Sequence, residues 1–477
     1  MNIVSQNYNN MITKLIINEI IKATANIKIG SIDNVFNYIN MIKSFDNIVN
    51  KSIIISIKTY LEQLDITYTN SPERKRKYDI KDYRSRTILT IFGEITFKRH
   101  FFKSKLDGSC FCYVDRQLGL KKYQYFDPYI RSLVVEKAAQ TSISATCREI
   151  NELIGNRVYL NPKFKLLSRQ SARNIILDSL LAEEDDAPLE TPEEIYIMAD
   201  EKWIATQRKI DGSKHNKNSH NKKVMVKSIV VFDGYSKNKR RKLLNKKVFA
   251  SKDENIINQS LDYINNVYDV SKIKRVFIMG DGASWIRVLP GYYKFEANTQ
   301  IYFGLDKFHF KQALHHLAMN LTYENYLLNY ILNDNKKAFN QLVDFIKKDK
   351  PKREDTISKK YDYIMSHWKD IQRLYEHKMS CPMESQISHN IASLTSSRPK
   401  GYSHKMLNKI LNLRLKYLNS QNVKKLYLIN FNSNKIKNTT IEHLNFDVFD
   451  SYKQFIPSYQ GKLFTPSIGS YYSVNHF

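Results

Sequence analysis

The sequence predicts an α/β fold in which a five-stranded core is followed by a purely helical stretch and preceded by mainly helical regions. Three observations predict it. Before Glu183 apolar residues recur mostly three and four apart; from Glu194 onward short β-branched and aromatic runs alternate with helical spacing; from His309 to about Glu376 strand signals vanish. With 477 residues the chain exceeds one ordinary domain, and 42% hydrophobic residues suffice to build real cores.

Taken in order, residues 1–72 read as a helical accessory region, with Ile12, Leu15, Ile16 and Ile20 on one face and Val35, Tyr38, Ile39 and Ile42 on another, broken near Gly30 and Asp33. Residues 73–126 begin with ERKRKYDIKDYRSR, in which Arg74, Lys75, Arg76, Lys77, Lys81, Arg84 and Arg86 face three acids, and this reads as a basic linker. The run ILTIFGEITFKRHFF (Ile88 to Phe102) alternates about Phe92-Gly93 and reads as a hairpin. Over residues 127–190 helical period returns, and SISATCREINELIG followed by LSRQSARNIILDSL has the form of a helix-turn-helix, broken at Gly155, with Ser168, Arg169 and Arg173 at the start of its second helix. An ordinary helical hairpin gives the same pattern.

The acidic, Pro-containing EEDDAPLETPEE (Glu183 to Glu194) marks a boundary. Beyond it EIYIMADEKWIA, VMVKSIVVFDG and KKVFAS read as strands, DENIINQSLDYINNVY as a helix opened by Asp253, RVFIMGDG as a strand, ASWIRVL as a short helix and TQIYFGLD as a strand. Three strands, helix, strand, helix, strand is the order of a ribonuclease-H-like core, here assigned to residues 191–402 with a helical insertion at about 310–376. Residues 403–477 form a C-terminal region whose role is unreadable.

Charge narrows the partners. The 75 Lys+Arg against 47 Asp+Glu leave a net +28, an uncompensated excess that attracts a polyanion, although an AT-rich genome also inflates lysine. Nucleic acid, DNA or RNA, is the expected partner. The stretch Lys237 to Lys247 holds seven basic residues among eleven, and Arg208 to Lys223 is a second basic, Asn-rich loop; both suit phosphate contacts. Cys110, Cys112, Cys147 and Cys381 include no Cys-x-x-Cys pair, so neither a zinc ribbon nor a disulfide framework is expected. No apolar run of spanning length and no signal-peptide pattern is present, so a cytoplasmic, nucleoid-associated protein with no membrane partner is expected.

Two carboxylates stand out. Asp200 closes the run Ile195 to Ala199 and Asp281 closes Val276 to Gly280, each at the C-terminal end of an expected strand, and the two strands are neighbours in this order. Carboxylates so placed bridge a hard divalent cation, and a third would complete a two-metal site for phosphodiester chemistry. Singly the signals are weak, because an Asp after a strand is usually a turn residue and Gly280-Asp281-Gly282 reads equally as a tight turn.

The strings ADEKWIA, GDGASWI, LDKFHFKQAL and ESQISHNIASLTSSRPKGYS resemble the DDE transposases of bacterial insertion sequences, specifically the ISLre-type group, which also appears as an uncharacterised-protein family and is related to the Mutator-like enzymes. The resemblance runs from about Phe92 to Tyr402. It implies that Asp200, Asp281 and Glu384 are catalytic and hold two Mg²⁺ or Mn²⁺ ions, with Asp281 lying 81 residues after Asp200 and Glu384 103 after Asp281. It further implies an auxiliary pair, Asp306 and His309, where a helix-capping Asp306 is the simpler alternative. It implies too that double-stranded DNA, as element ends and target, is cut by hydrolysis and then joined by attack of the freed 3′-hydroxyl, without a covalent protein intermediate, in a homodimer or larger assembly. Glu201 departs from the Mutator-like pattern, but on a strand it points to the opposite face. Trp203 and Trp285 are expected in the core. Arg398 either grips DNA near the cut or, with Pro399, ends a helix. Expected DNA contacts are Arg74, Lys75, Arg76, Lys77, Arg169, Arg173, Arg240, Arg241 and Lys242. A nuclease that cuts without joining, an inactive DNA-binding relic and a structural nucleic-acid-binding protein are the alternatives.

Overall fold

The computed structural model describes residues 35–155, 165–206, 223–236, 242–253, 255–377 and 402–433, together with residues 14, 17, 18, 21, 391 and 395. A long helix, α1 (Val35–Asn70), leads into the one-turn α2 (Pro72–Lys77), whose start is fixed by Ser71 Oγ accepting from Arg74 N at 3.2 Å and by proline at the first helical position. Then β1 (Tyr78–Thr90) and β2 (Gly93–Ser104) form an antiparallel ribbon, extended by β3 (Cys110–Phe111). The segment expected to be a basic linker is therefore a helical turn and a strand. Its alternation is invisible in the sequence because Asp79 to Ser85 expose side chains on both faces, and burial begins only at Ile88. Helix α1 packs beside β2, where Glu62 accepts from Lys98 N (3.0 Å) and Asp65 from His100 N (2.9 Å). After α3 (Tyr113–Gln117), Asp115 takes both Nε and Nη2 of Arg99, at 2.9 and 2.8 Å, and Arg86 at 3.3 Å, which explains two of the basic residues structurally.

Helices α4 (Pro128–Ala138), α5 (Ile143–Gly155) and α6 (Arg169–Asp178) pack on one another, with Asp127 and Ser168 as N-caps of the first and third. The core they bury is shared widely. Leu89 from the ribbon, Ile130, Ile150 and Ile176 from these helices, Ile204 and Val226 further on, and Tyr402, Ile410 and Tyr427 near the C-terminus form one cluster. It crosses the boundaries drawn from sequence after residues 126, 190 and 402, because each of those segments has an apolar face too small to bury alone.

The main sheet comprises β4 (Glu194–Ala205), β5 (Lys223–Phe232), β8 (Lys247–Ser251), β9 (Arg275–Gly280) and β10 (Gln300–Leu305), with a two-stranded ribbon of β6 (Gly234–Tyr235) and β7 (Leu243–Leu244) between the second and third. Its order is β10-β9-β4-β5-β8, with β9 and β10 parallel to β4 and β5 alone reversed. One face, through Ile195, Ile197 and Ala199, packs on α7 (Ile256–Val267) and on α8 (Ser284–Arg287) and α9 (Leu289–Tyr292). Asp253 does not open α7; its N–H donates to Ser251 Oγ (3.0 Å), and Asn255 is the preceding residue.

After β10 the chain runs through α10 (Lys307–Ala318), α11 (Leu321–Leu332), α12 (Lys336–Asp349), α13 (Glu354–Ser366) and α14 (Trp368–Glu376). These bury their own core of Phe310, Leu314, Ile331, Phe339, Ile364 and Trp368. Finally α15 (His404–Leu418) and α16 (Val423–Ser433) close the described chain. Asn419, just after α15, exchanges two hydrogen bonds with the backbone of Val248, 2.8 and 3.0 Å, and so covers the edge strand β8. Among the described residues no helix is long and apolar enough to cross a membrane.

Candidate active site

The register of the three parallel strands creates the site. Ala199 of β4 pairs with Gly280 of β9, and Gly280 pairs with Leu305 of β10. The next residue in each chain segment is an aspartate: Asp200, Asp281 and Asp306. Asp200 is not a strand terminus as expected, because β5 carries β4 on through the pairing of Ala205 with Lys223; what ends at Asp200 is the ladder to β9. Asp200 is 8% and Asp306 2% exposed, so both carboxylates are held largely out of water.

Each acid is oriented locally. Asp200 Oδ1 accepts from Glu201 N at 2.6 Å and Asp281 Oδ1 from Ala283 N at 2.9 Å. Asp306 is the helix cap, its Oδ1 accepting from Phe308 N of α10 (3.2 Å), and its Oδ2 also bonds His309 Nδ1 (2.7 Å). That hydrogen bond, chiefly, raises the His309 pKa against the opposing effect of burial, and the charges of Asp306, Asp200 and Asp281 add to it. The ring thus senses all three aspartates. Tyr363 from α13 donates its hydroxyl to the Asp281 carbonyl (3.2 Å), and burial, with the charges of Asp281 and Asp306, pushes its own ionisation upward.

The turn after β9 is tightly built. Gly282 has φ +86°, a left-handed conformation that glycine adopts at no steric cost. Its carbonyl accepts from Arg287 Nε (2.9 Å), and Arg287 Nη2 reaches Nε2 of the buried His367 (2.8 Å). Behind the sheet, Trp285 donates Nε1–H to Glu201 (2.9 Å), with Lys227 Nζ 5.3 Å from its ring. Glu201 does face away from Asp200, as strand alternation requires. Trp285 is half-buried, but Trp203 is 54% exposed and is not a core residue; it lies beyond the last pairing of β4 with β9.

The remaining expected positions divide three ways. Glu384, Arg398, Arg240 and Arg241 lie outside the described residues. Lys75, Arg76 and Lys77 are exposed, and Arg169 and Arg173 project from the solvent face of α6 beside Gln170 and Asn174; Lys242 is exposed before β7. Arg74 instead turns its Nε to the Thr69 carbonyl (2.6 Å), closing the end of α1. Among the described residues no group of three or more His, Cys, Asp or Glu is arranged to hold a metal. Tyr363, Arg287 and His367 were not found from sequence, since their contacts span about eighty residues or lie in a glycine turn that no local pattern reports.

Comparison with known proteins gives the family. A protein of this family from Caldanaerobacter subterraneus subsp. tengcongensis, named under eleven designations, is 26% identical over 372 residues, covering 76% of this chain and 73% of its own. Another from the same organism is 24% identical over 384 residues, 76% and 74% of the two chains. A Streptococcus gallolyticus protein, "UPF0236 protein in vanSb 3'region", is 24% identical over 311 residues, 62% of this chain and 64% of that one. Among solved structures, the Drosophila P element transposase strand transfer complex shares 14% identity over 73% of this chain and 90% of that one, at a TM-score of 0.24, too loose a likeness to carry an argument. Residues 31–429 match the uncharacterised protein family UPF0236, and the chain belongs to that family.

Proposed function

We propose that this chain is a DNA transposase of the ISLre-type DDE group, which hydrolyses the phosphodiester at the ends of its element and transfers the freed strands into target DNA. The observation that supports it most is the register that brings Asp200, Asp281 and Asp306 side by side, each immediately after the last paired residue of the ladders joining three adjacent parallel strands. The sheet order supports a ribonuclease-H-like reading of residues 191–402: numbered within the sheet it is third, second, first, fourth, fifth, with only the second reversed. The long interval to Glu384 is then filled by a helical insertion, α10 to α14.

The donor set fits a hard cation. Asp200 and Asp281 present carboxylate oxygens of the kind Mg²⁺ and Mn²⁺ take, and Glu384 would add the third. When bound, a pair of such ions supplies the Lewis acidity that phosphodiester hydrolysis needs. The chain's own residues do the rest. Glu201 N–H orients the largely buried Asp200 carboxylate and Ala283 N–H that of Asp281, while His309, its Nδ1 bonded to Asp306, keeps Nε2 for a proton it would give to an oxygen of the reacting phosphate. Water adds to phosphorus as the bond to the 3′-oxygen breaks, leaving a 5′-phosphate and a 3′-hydroxyl; that hydroxyl then bonds to a target phosphorus as the target's own phosphorus–3′-oxygen bond breaks and a target 3′-hydroxyl leaves. Exposed Lys75, Arg76, Lys77, Arg169 and Arg173 supply phosphate contacts to double-stranded DNA, and pairing two element ends calls for a homodimer or more.

The test is cleavage and strand transfer on labelled DNA carrying the element's own ends, comparing the full chain with Asp281→Asn. Hydrolysis and joining that require Mg²⁺ or Mn²⁺ and are lost in the variant are expected. Cutting without joined products would make the chain a nuclease, and inactivity of both proteins with DNA binding intact would make it a relic.

A further inference from the structure

We propose that Tyr363 and His367 are positioning residues, a clamp by which the helical segment sets the place of the Asp281 carboxylate. The proposal rests on the reading of Asp281 as a metal ligand. The two side chains lie one helical turn apart across the junction of α13 and α14, and both reach the same turn. Tyr363 Oη donates to the Asp281 carbonyl at 3.2 Å, holding the backbone of the acid itself. His367, 2% exposed, stands against the next residue: a Cβ built on Gly282 would lie 2.3 Å from its Cε1 and 2.5 Å from its Nε2.

The hydrogen bonds give the ring one orientation. Asp370 Oδ2 lies 3.1 Å from Nδ1 and Arg287 Nη2 lies 2.8 Å from Nε2. A carboxylate accepts and a guanidinium donates, so the His367 Nδ1–H donates to Asp370 while Nε2 accepts from Arg287. Arg287 Nε in turn donates to the Gly282 carbonyl at 2.9 Å. A continuous chain of bonds therefore runs from Asp370 through His367 and Arg287 to the turn that carries Asp281. The far end is braced as well: Trp368, next to His367, donates to Asp334 at 2.6 Å, and Gln372 to the Ile331 carbonyl at 2.8 Å, both at the α11–α12 turn. Outer contacts of this kind hold a ligand's geometry without touching the ion or the substrate.

Two measurements on the full chain test the clamp. In His367→Ala, hydrogen exchange at Ala283, whose N–H bonds the Asp281 carboxylate, should accelerate at least about tenfold while β5 and α6 keep wild-type rates. The Mn²⁺ concentration for half-saturation should rise about 10- to 100-fold, with DNA affinity unchanged. His367→Gln, which accepts from Arg287 through Oε1, should recover most of both. Gly282→Ala should loosen the same turn, and in Gly282→Ala/His367→Ala the loss should be less than the product of the two singles, because the ring that meets the new methyl is gone. Wild-type exchange at Ala283 and wild-type Mn²⁺ affinity in His367→Ala would overturn the clamp. Failure of the wild-type chain to bind Mn²⁺ would instead remove the metal-site reading, and the exchange data would still decide whether the clamp exists.

Discussion

Gly280→Ala probes the join on which the site depends. Gly280 closes β9 between Ala199 and Leu305, immediately before Asp281. A Cβ there would meet Ile286 Cγ2 at 2.7 Å and the Ala199 carbonyl oxygen at 2.9 Å, where ordinary carbon contacts lie at about 3.5–4.0 Å. Ile286 is fully buried and cannot swing aside, and Ala199 belongs to the β4–β9 ladder, so relief means separating the two strands that carry Asp200 and Asp281. Overpacking of this kind costs about 1–3 kcal/mol, and the two unyielding neighbours place the loss at about 2–3 kcal/mol. Thermal unfolding should therefore fall by roughly 4–12 °C, taking about 2–4 °C per kcal/mol for a domain of this size. Adding Ile286→Ala removes the nearer contact but not the carbonyl, so the double variant should be about 1 kcal/mol better than the sum of the singles. A Gly280→Ala melt within about 1 °C of wild type, on that same scale, would refute the strand register and with it the juxtaposition of the aspartates.

Three further outcomes follow from the same structure. His309 has its pKa raised in the folded state, so its protonated form stabilises the metal-free protein below its unfolded value near 6.5, and that contribution is lost as pH rises through the folded value. The melting difference between wild type and His309→Asn should therefore shrink as pH climbs from about 6 toward 9 on that scale, and a difference that grows would reverse the assignment. Arg99→Ala breaks a two-point bond to the largely buried Asp115 and, with Arg86 still at 3.3 Å, should cost about 3 kcal/mol; calorimetry showing no loss would contradict the packing of the ribbon. Replacing Arg169 and Arg173 together should weaken DNA binding across sequences and flatten its log-log salt dependence by about 1.8, provided each neutralises one phosphate, whereas an unchanged slope would take α6 off the DNA.

Much of the sheet was legible because its strands are short β-branched runs bounded by turns, and Asp200 and Asp281 were legible because each follows such a run. Register was not. Nothing local in LDKFH says that Leu305 stands level with Gly280 and Ala199, so Asp306 read as a cap or a family feature rather than as the third acid in a row. The ribbon was found only from Ile88 to Phe102, since the outer half of β1, Asp79 to Ser85, is exposed on both faces and shows no buried alternation. Helix α15 was missed although Met406, Leu407, Ile410, Leu411 and Leu413 follow a helical period, and its partners, α4, α6 and β8, are far away in sequence. The clamp was out of reach for the same reason: Tyr363 to Asp281 and His367 to Arg287 are contacts across eighty residues or more, made by side chains whose own neighbourhood reads as ordinary helix.

Asp200, Asp281 and Glu384 are proposed to form one divalent-ion seat, and the most direct measurement of that claim is cutting of the chain by Fe²⁺ with ascorbate and peroxide, which severs backbone close to a bound ion. The account predicts fragments ending near residues 200, 281 and 384 together, suppressed by excess Mg²⁺ and abolished by Asp281→Asn. Cuts that omit the neighbourhood of Glu384, or that persist in Asp281→Asn, would contradict it.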